Sequence, residues 1–190
     1  MKRRGKDYIV FPLDVPSLDQ AKDFVRMLDG HVGMFKIGLE LFIAEGPSVV
    51  RMVKENSSAG IFLDLKLHDI SATVNRAMNR VAELGVDLVT VHASSSLQML
   101  ERAVEGGKGK TGVLGVTLLT DNDAGAVAAC GFRDRYVKDT DALVQLRAGM
   151  AFETGCSGIV CSGKEVRHIK DKFGREFLAV TPGIRPAWTL

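Results

Sequence analysis

The sequence predicts an α/β fold made of repeated βα units that close into a (βα)8 barrel. Seven short runs rich in Val, Ile, Leu and Phe alternate with longer segments of helical periodicity. The first four runs begin at residues 8, 34, 61 and 87, so they are 26, 27 and 26 residues apart. One strand and one crossover helix fill such an interval, which predicts parallel strands. The predicted strands are Tyr8–Leu13, Met34–Leu39, Ile61–Leu67, Asp87–Ala93, Gly112–Leu119, Gly158–Ser162 and Phe177–Thr181.

The motif content favours the closed barrel over an open, doubly wound sheet. No G-x-G-x-x-G motif follows the first run, and that motif marks the nucleotide-binding turn of doubly wound folds. A complete barrel has eight strands and about 250 residues, whereas this chain has 190 and ends just after its seventh run. We therefore expect a single barrel domain over residues 1–190, with its C-terminal part and its eighth strand missing from the sequence.

Serine caps and glycine stops predict the helices between the strands. Apolar residues within these segments recur at helical spacing, which indicates core packing. In the second unit Pro47 follows Gly46, a position that the first turn of a helix tolerates. The predicted helices run from Ser17 to Gly30, from Ser71 to Gly85, and from Ser95 or Ser96 to Gly106–Gly107.

One interval is much longer than the others. The fifth and sixth runs begin at residues 112 and 158, so they are 46 residues apart. A polar stretch, Asp121–Tyr136, precedes a helical segment from about Asp139 to Gly155. An enlarged loop after the C-terminal end of a strand can cover a substrate. A surface insertion without function is an equally good interpretation.

Composition excludes several classes of protein. With 46% hydrophobic and 25% charged residues, the chain is not of the disordered type. Cys130, Cys156 and Cys161 are too few for a disulfide scaffold, and we expect buried thiols in a reducing compartment. No apolar run reaches the roughly 18 residues of a membrane span. The basic start, Met1–Lys6, is interpreted as a solvated tail rather than a secretion signal or a nucleic-acid contact. We expect a cytoplasmic protein.

Charged residues interrupt the first three strands where an active site is expected. Asp14 ends the first strand, Lys36 lies within the second, and Asp64, Lys66 and Asp69 follow in or after the third. An ionisable residue in an apolar strand is costly unless it is paired. Asp64 and Lys66 are two residues apart and should share a face. Active sites of such folds form at the C-terminal ends of the strands, so the pattern predicts a catalytic charge cluster.

Two other interpretations of these charges stay open from spacing alone. A structural ion-pair network is one. A metal site is the other, with Asp14, Asp64, His68 and Asp69 as ligands. Two lysines in the same cluster disfavour a divalent cation, and no H-E-x-x-H pair supports zinc.

Four motifs together resemble the orotidine 5′-phosphate decarboxylase family. Ser71 departs mildly from the family pattern, because many members have Pro there, and this affects only how the next helix begins. The resemblance covers essentially the whole chain in order. The motifs are Phe11-Pro12-Leu13-Asp14, Phe35-Lys36-Ile37-Gly38, Asp64-Leu65-Lys66-Leu67-His68-Asp69-Ile70 and Thr181-Pro182-Gly183-Ile184-Arg185-Pro186.

The resemblance implies decarboxylation of orotidine 5′-monophosphate to uridine 5′-monophosphate on a (βα)8 barrel, without metal or cofactor. Lys66 would protonate C6 of the pyrimidine, and Asp64 would lie against the substrate carboxylate. Asp14 and Lys36 would hold ribose hydroxyls, and Lys36 would also complete the catalytic charge network.

The resemblance also implies a homodimer with shared active sites. Asp69, counted among the catalytic residues, would reach into the partner's site together with Ile70 and Thr73. Thr120 would contact the substrate beside the pyrimidine, and Arg185 would bind its phosphate.

Two alternative functions remain. Mg²⁺-dependent sugar-phosphate aldolases and decarboxylases on the same barrel share the D-x-K-x-x-D pattern, but they have an acidic residue in the second-strand region, where this chain has Lys36. An inactive nucleotide-binding fragment is the other, since family members continue past Arg185 with a Gln-containing loop and an eighth strand.

Overall fold

A computed structural model describes residues 4–185 and 187–189. These residues form seven strands in one parallel sheet, with the spatial order β1-β2-β3-β4-β5-β6-β7. Consecutive strands are therefore neighbours, and helices separate them along the chain, as the barrel prediction requires. The strands are β1 (Val10–Pro12), β2 (Met34–Gly38), β3 (Gly60–Leu67), β4 (Leu88–His92), β5 (Gly112–Val116), β6 (Gly158–Val160) and β7 (Leu178–Val180).

The predicted strand segments are confirmed, and most strands are shorter than predicted. Tyr8, which was expected to begin the first strand, instead ends a 3-10 helix, Gly5–Tyr8. The strand that begins at Gly112 ends at Val116 rather than at Leu119. Among the described residues β1 pairs only with β2 and β7 only with β6, so the sheet is a curled, open part of a barrel. Residues 1–3 of the expected N-terminal tail lie outside the described residues, and Gly5 and Lys6 belong to the 3-10 helix.

The helices pack between and around these strands. The same described ranges contain nine α-helices and a second 3-10 helix, Ala187–Thr189. None of these helices combines the length and the apolar character needed to cross a lipid bilayer. The α-helices are α1 (Leu18–Leu28), α2 (Leu39–Glu45), α3 (Ser48–Asn56), α4 (Ser71–Leu84), α5 (Leu97–Gly106), α6 (Ala124–Ala129), α7 (Asp134–Lys138), α8 (Thr140–Glu153) and α9 (Val166–Phe173).

The capping predictions are correct at two helices and wrong at one. Ser17 accepts a hydrogen bond from the backbone of Gln20, and Ser96 accepts one from Met99. Ser71 is not a cap: it is the first residue of α4, and the extended residue Ile70 occupies the N-cap position without a side-chain bond. The second unit holds two helices, because Gly46 ends α2 and Pro47 stands just before α3.

The long interval after β5 is ordered into two short helices, α6 and α7, before α8 begins. Val127, Tyr136 and Leu143 form a small hydrophobic cluster beside the main core. Residues 121–136 therefore form a small packed region of the fold rather than an irregular loop. Cys130, at the end of α6, is exposed, so the expectation of three buried thiols holds only for Cys156 and Cys161.

Candidate active site

Four charged side chains meet where the first three strands end. Asp14 follows β1, Lys36 lies in β2, and Asp64 and Lys66 lie in the second half of β3. The Lys36 Nζ atom is 2.9 Å from Asp14 Oδ1 and 3.9 Å from Asp64 Oδ2. The Lys66 Nζ atom is 2.8 Å from the same Asp64 Oδ2. The structure thus assembles a row of alternating negative and positive charges, which we call the charge row.

Asp64 is the most buried member of the charge row, whereas Lys66 beside it is 30% exposed. The Asp14 side chain is 62% exposed, Lys36 is 22% exposed, and Asp64 is 14% exposed. Asp64 therefore carries its charge in the most protected position and depends most on its partners. Gly38 leaves room for the outer pair, because a Cβ atom there would lie 3.3 Å from Lys36 Nζ and 3.4 Å from Asp14 Oδ1.

An irregularity in the sheet shapes the inner half of the charge row. Leu63 pairs with Val89 and Leu67 pairs with Val91, so β3 advances four residues while β4 advances two. Lys66 lies inside this bulge with φ of +49°, in the left-handed region that side chains other than glycine rarely adopt. Asp64 and Lys66 do meet, as the two-residue spacing predicts. Their contact is made within a bulge, however, and not on the face of a regular strand.

Two polar residues that were not selected from the sequence, Thr90 and His92, border the charge row. Thr90 of β4 is fully buried and hydrogen-bonds to both Asp64 and Lys66. His92, at the end of β4, lies beside His68 with a distance of 5.4 Å between ring centroids. Burial lowers the pKa of His92 below the ordinary histidine value, and His68 and Lys66 lower it further. A neutral His92 is therefore favoured beside Lys66.

Arg147 connects the long insertion to the end of β5. It is buried in α8, donates to the Thr117 carbonyl, and its guanidinium carbon lies 5.1 Å from the centre of the Phe132 ring. Burial lowers the pKa of Arg147, although an arginine stays protonated in proteins. The sequence pattern did not indicate Arg147 as a buried residue, because an arginine in a helix is usually solvated.

A second group of predicted site residues lies away from the charge row in the same chain. Asp69 is exposed, its Oδ1 atom accepts from the backbone of Ile70, and Ile70 is 71% exposed. Both line a surface cavity of about 670 Å³ between the starts of α4 and α5, together with Arg76 and Arg102. Thr73 accepts a hydrogen bond from Arg76 on the adjoining surface.

The remaining predicted residues lie on loops. Thr120 follows β5 and Arg185 follows β7, and both are exposed. In the described part of the chain neither has a hydrogen bond or an ion pair with the charge row. The last residue of the motif that contains Arg185, Pro186, lies outside the described residues.

The carboxylate oxygens of the charge row are paired with the ammonium groups of its two lysines. Both lysine Nζ atoms approach Asp64 Oδ2, and Asp14 also faces Lys36. Residues 4–185 and 187–189 contain no group of three or more His, Cys, Asp or Glu side chains placed to hold a metal ion. The arrangement can repel an anion at Asp64 and stabilise a developing negative charge at Lys66.

Comparison with known proteins places the chain among decarboxylases. Residues 7–189 match the family model described as orotidine 5′-phosphate decarboxylase / HUMPS family. An orotidine 5′-phosphate decarboxylase from Desulfosudis oleivorans is 50% identical over 186 residues, which cover 97% of this chain and 75% of that protein. One from Bacillus pumilus is 40% identical over 184 residues, covering 93% and 76%. The crystal structure of orotidine 5′-phosphate decarboxylase from Lactobacillus acidophilus aligns with a TM-score of 0.78 at 32% identity, over 94% of this chain and 82% of that one.

Proposed function

The chain belongs to the orotidine 5′-phosphate decarboxylase / HUMPS family, and we propose that it converts orotidine 5′-monophosphate to uridine 5′-monophosphate and CO₂ in pyrimidine nucleotide biosynthesis. It is a carbon–carbon lyase. The observation that carries this function is the charge row, in which two lysines enclose Asp64 at the strand ends.

Lys36 favours this substrate over the Mg²⁺-dependent sugar phosphates. An acidic residue is expected in the second-strand region of the Mg²⁺-dependent enzymes, whereas Lys36 here brings a positive charge to within 3.9 Å of Asp64. A divalent cation at Asp64 would be repelled by two ammonium groups. The chemistry of the donor set therefore supports electrostatic catalysis by side chains.

The reaction needs electrostatic help because the electron pair left at C6 has no neighbouring π-acceptor. Two like charges about 4 Å apart repel by roughly 4 kcal/mol at an effective dielectric near 20. Asp64 and the substrate carboxylate repel in this way, and the repulsion falls as CO₂ leaves. Lys66 gains attraction to the charge that develops at C6. Both effects are stronger in the transition state than in the ground state, which is the condition for catalysis.

Proton transfer from Lys66 completes the step. The bond between C6 and the carboxylate carbon breaks, and its electron pair stays on C6. A proton moves from Lys66 Nζ to C6, which forms the new C–H bond and leaves a neutral amine that regains a proton from solvent. The 2.8 Å contact with Asp64 holds the ammonium at the site before the reaction begins, so little reorganisation is needed.

Binding of the rest of the nucleotide offsets the local repulsion. Asp14 and Lys36, the outer and more exposed pair, hold the ribose hydroxyls. Thr120 contacts the pyrimidine and Arg185 binds the phosphate from the loops that follow β5 and β7. Energy from these remote contacts holds the carboxylate against Asp64.

We further propose a homodimer in which each site uses residues of both chains. Asp69 and Ile70 are exposed beside a cavity, and Asp69 makes no ion pair in the described part of its own chain. The exposed Ile70 side chain offers an apolar contact to a second chain beside the Asp69 carboxylate and this cavity. The chain acts as one barrel domain, and its free cysteines agree with a cytoplasmic location.

Subunit mixing tests the shared site. Asp69→Ala and Lys66→Ala chains should each be inactive, while random mixing makes about half of the dimers heterodimers. Each heterodimer holds one complete site, so about a quarter of the wild-type activity per subunit should return. If heterodimers form without recovery, Asp69 belongs to the site of its own chain.

The purified protein tests the function directly. We expect loss of orotidine 5′-monophosphate and release of an equal amount of CO₂, with the same rate after treatment with a chelator. Turnover of a sugar phosphate that requires added Mg²⁺, without decarboxylation of the nucleotide, would support the alternative instead.

A further inference from the structure

We propose that Thr90 is a positioning residue that holds Asp64 and Lys66 in their reactive geometry through its single hydroxyl group. The inference rests on the proposed function, since it assigns a task within the same site. Thr90 belongs to an apolar strand, and in the described part of the chain its hydroxyl has no hydrogen bond to Asp14 or Lys36. Its importance follows from the bulge between β3 and β4.

The bulge interrupts regular backbone pairing with β4 at Asp64 and Lys66, the two residues that must be positioned. Between the pairs Leu63–Val89 and Leu67–Val91, three residues of β3 face Thr90 alone. The Lys66 backbone has a φ of +49° there, a conformation that costs on the order of 1 kcal/mol or more for a residue with a side chain. Such a conformation persists only when its surroundings hold it.

The Thr90 hydroxyl supplies that hold with both of its bonding functions. The Lys66 N–H donates to Thr90 Oγ1 at 2.8 Å. The Thr90 O–H donates to Asp64 Oδ1, also at 2.8 Å. The direction of the two bonds is fixed, because an ionised carboxylate can only accept and an amide N–H can only donate. One buried atom therefore fixes the backbone of the lysine and the carboxylate of the aspartate together.

The two carboxylate oxygens of Asp64 therefore have different hydrogen-bond partners. Oδ1 is bound by Thr90, while Oδ2 faces the ammonium of Lys66 at 2.8 Å. With one partner on each oxygen, the plane of the carboxylate cannot rotate freely. Asp64 is thereby oriented toward the substrate carboxylate. The fixed Lys66 backbone in turn directs the lysine side chain toward C6.

Among the described residues, the other two buried threonines bond differently from Thr90. The Thr111 hydroxyl donates to the Val86 carbonyl at 2.8 Å, and the Thr117 hydroxyl donates to the Val160 carbonyl at 2.9 Å. Both bonds join backbone segments and reach no ionised group. Thr111 lies before β5, at the opposite end of the sheet from the charge row, and is a matched control.

The kinetic experiment compares Thr90→Val, Thr90→Ser and Thr111→Val. Valine keeps the shape of threonine and removes the hydroxyl. We expect kcat of Thr90→Val to fall about 30- to 100-fold, because a small misplacement of reacting groups can cost about 10²-fold. KM should change less than about threefold, since the nucleotide contacts remain. Thr90→Ser should recover kcat to within about threefold, and Thr111→Val should stay within about twofold of the wild type.

Hydrogen exchange at the Lys66 amide gives a readout that does not depend on activity. This amide should exchange at least about tenfold faster in Thr90→Val, because its acceptor is gone, and should be protected again in Thr90→Ser. Thermal unfolding of Thr90→Val and Thr111→Val, which each lose a buried hydroxyl, provides the control for general destabilisation. An unchanged kcat in Thr90→Val, or unchanged exchange, overturns the inference while the proposed function stands. A wild-type protein without decarboxylase activity but with the expected exchange pattern overturns the proposed function and retains the positioning role.

Discussion

The two halves of β3 differ in nearly every physical respect. In the first half, Gly60–Leu63, the side chains of Ile61, Phe62 and Leu63 are buried, and the backbone pairs regularly with β2 and β4. In the second half, residues 64–67, charged side chains alternate with leucines, and the pairing with β4 is interrupted. One strand therefore joins an apolar, regularly paired segment to a charged, irregularly paired one. Regular burial stabilises the fold, and the bulge places charged groups that burial alone would disfavour.

Mutations in the first half of β3 should therefore affect folding, and mutations in the second half should affect chemistry. Side chains of the first half contribute stability through apolar area removed from water. The charged side chains of the second half are held by ion pairs and by Thr90, and Lys66 has an unusual backbone conformation. Strain at reactive positions is tolerated when the surrounding structure compensates for it. Apolar burial in the first half of β3 contributes to that compensation, and the hydrogen bond to Thr90 holds the Lys66 backbone locally.

The largest expected effect is loss of catalysis on changing Lys66 in the second half. Lys66→Ala should lower kcat for decarboxylation by more than about 1,000-fold, which corresponds to about 4 kcal/mol of transition-state stabilisation. Binding of the product nucleotide should change less than about threefold, because Lys66 acts mainly in the transition state. Turnover and product titration measure the two quantities. Near-normal turnover would contradict the assignment of Lys66 as the acid.

A large effect of the other kind is expected in the first half. Leu63 is fully buried, and Leu63→Ala should lower the free energy of unfolding by about 2–5 kcal/mol. Leu65, two residues later and partly buried, is the matched control, and Leu65→Ala should cost about half as much. Denaturant unfolding gives both values. Equal losses at the two positions would show that the two halves of β3 do not differ in stability.

The same division separates what the sequence predicts from what it does not. Charges in an apolar run are costly unless paired, so Asp64 and Lys66 could be selected from the pattern alone. Thr90 could not, because threonine is an ordinary strand residue and its role depends on a bulge that no spacing reveals. The alternating strands and helices were predictable from apolar periodicity. Helix α2 was missed because its apolar residues continue directly from β2.

Contacts that bring distant segments together were also invisible in the pattern. Arg147 meets the Thr117 carbonyl and the Phe132 ring only after α8 packs beside β5. A place for Asp69 in a partner's site is implied only by the family resemblance and stays a prediction, since the single chain leaves Asp69 outside the charge row. The charged residues of the site can thus be found from neighbouring positions in the sequence. The residues that hold them in place come from other elements of the fold and cannot.

A smaller effect is expected in the long insertion after β5, where the buried Arg147 links α8 to the end of the strand. Arg147→Met removes the donor to Thr117 and keeps most of the side-chain volume. A buried hydrogen bond contributes about 1 kcal/mol, or about fivefold in a local opening equilibrium. Trypsin should therefore cleave after Arg133, Arg135 or Lys138 about fivefold faster. Arg26→Met is the control, because Arg26 is exposed on α1. Equal cleavage rates in the two variants would show that Arg147 does not hold the insertion.

The smallest effect concerns pH and tests whether His92 belongs to the reactive end. Burial lowers the pKa of His92 in the folded protein below its ordinary value of 6.5. The unfolded chain therefore binds more protons than the folded one when the pH falls below that value, so acid favours unfolding. The free energy of unfolding should fall as the pH decreases through this range, and it should fall less steeply in His92→Gln. Glu165, whose pKa burial raises, contributes with the opposite sign, so the difference between the two proteins is the quantity to measure. Identical pH dependence in both would mean that His92 is as solvated as an ordinary surface histidine.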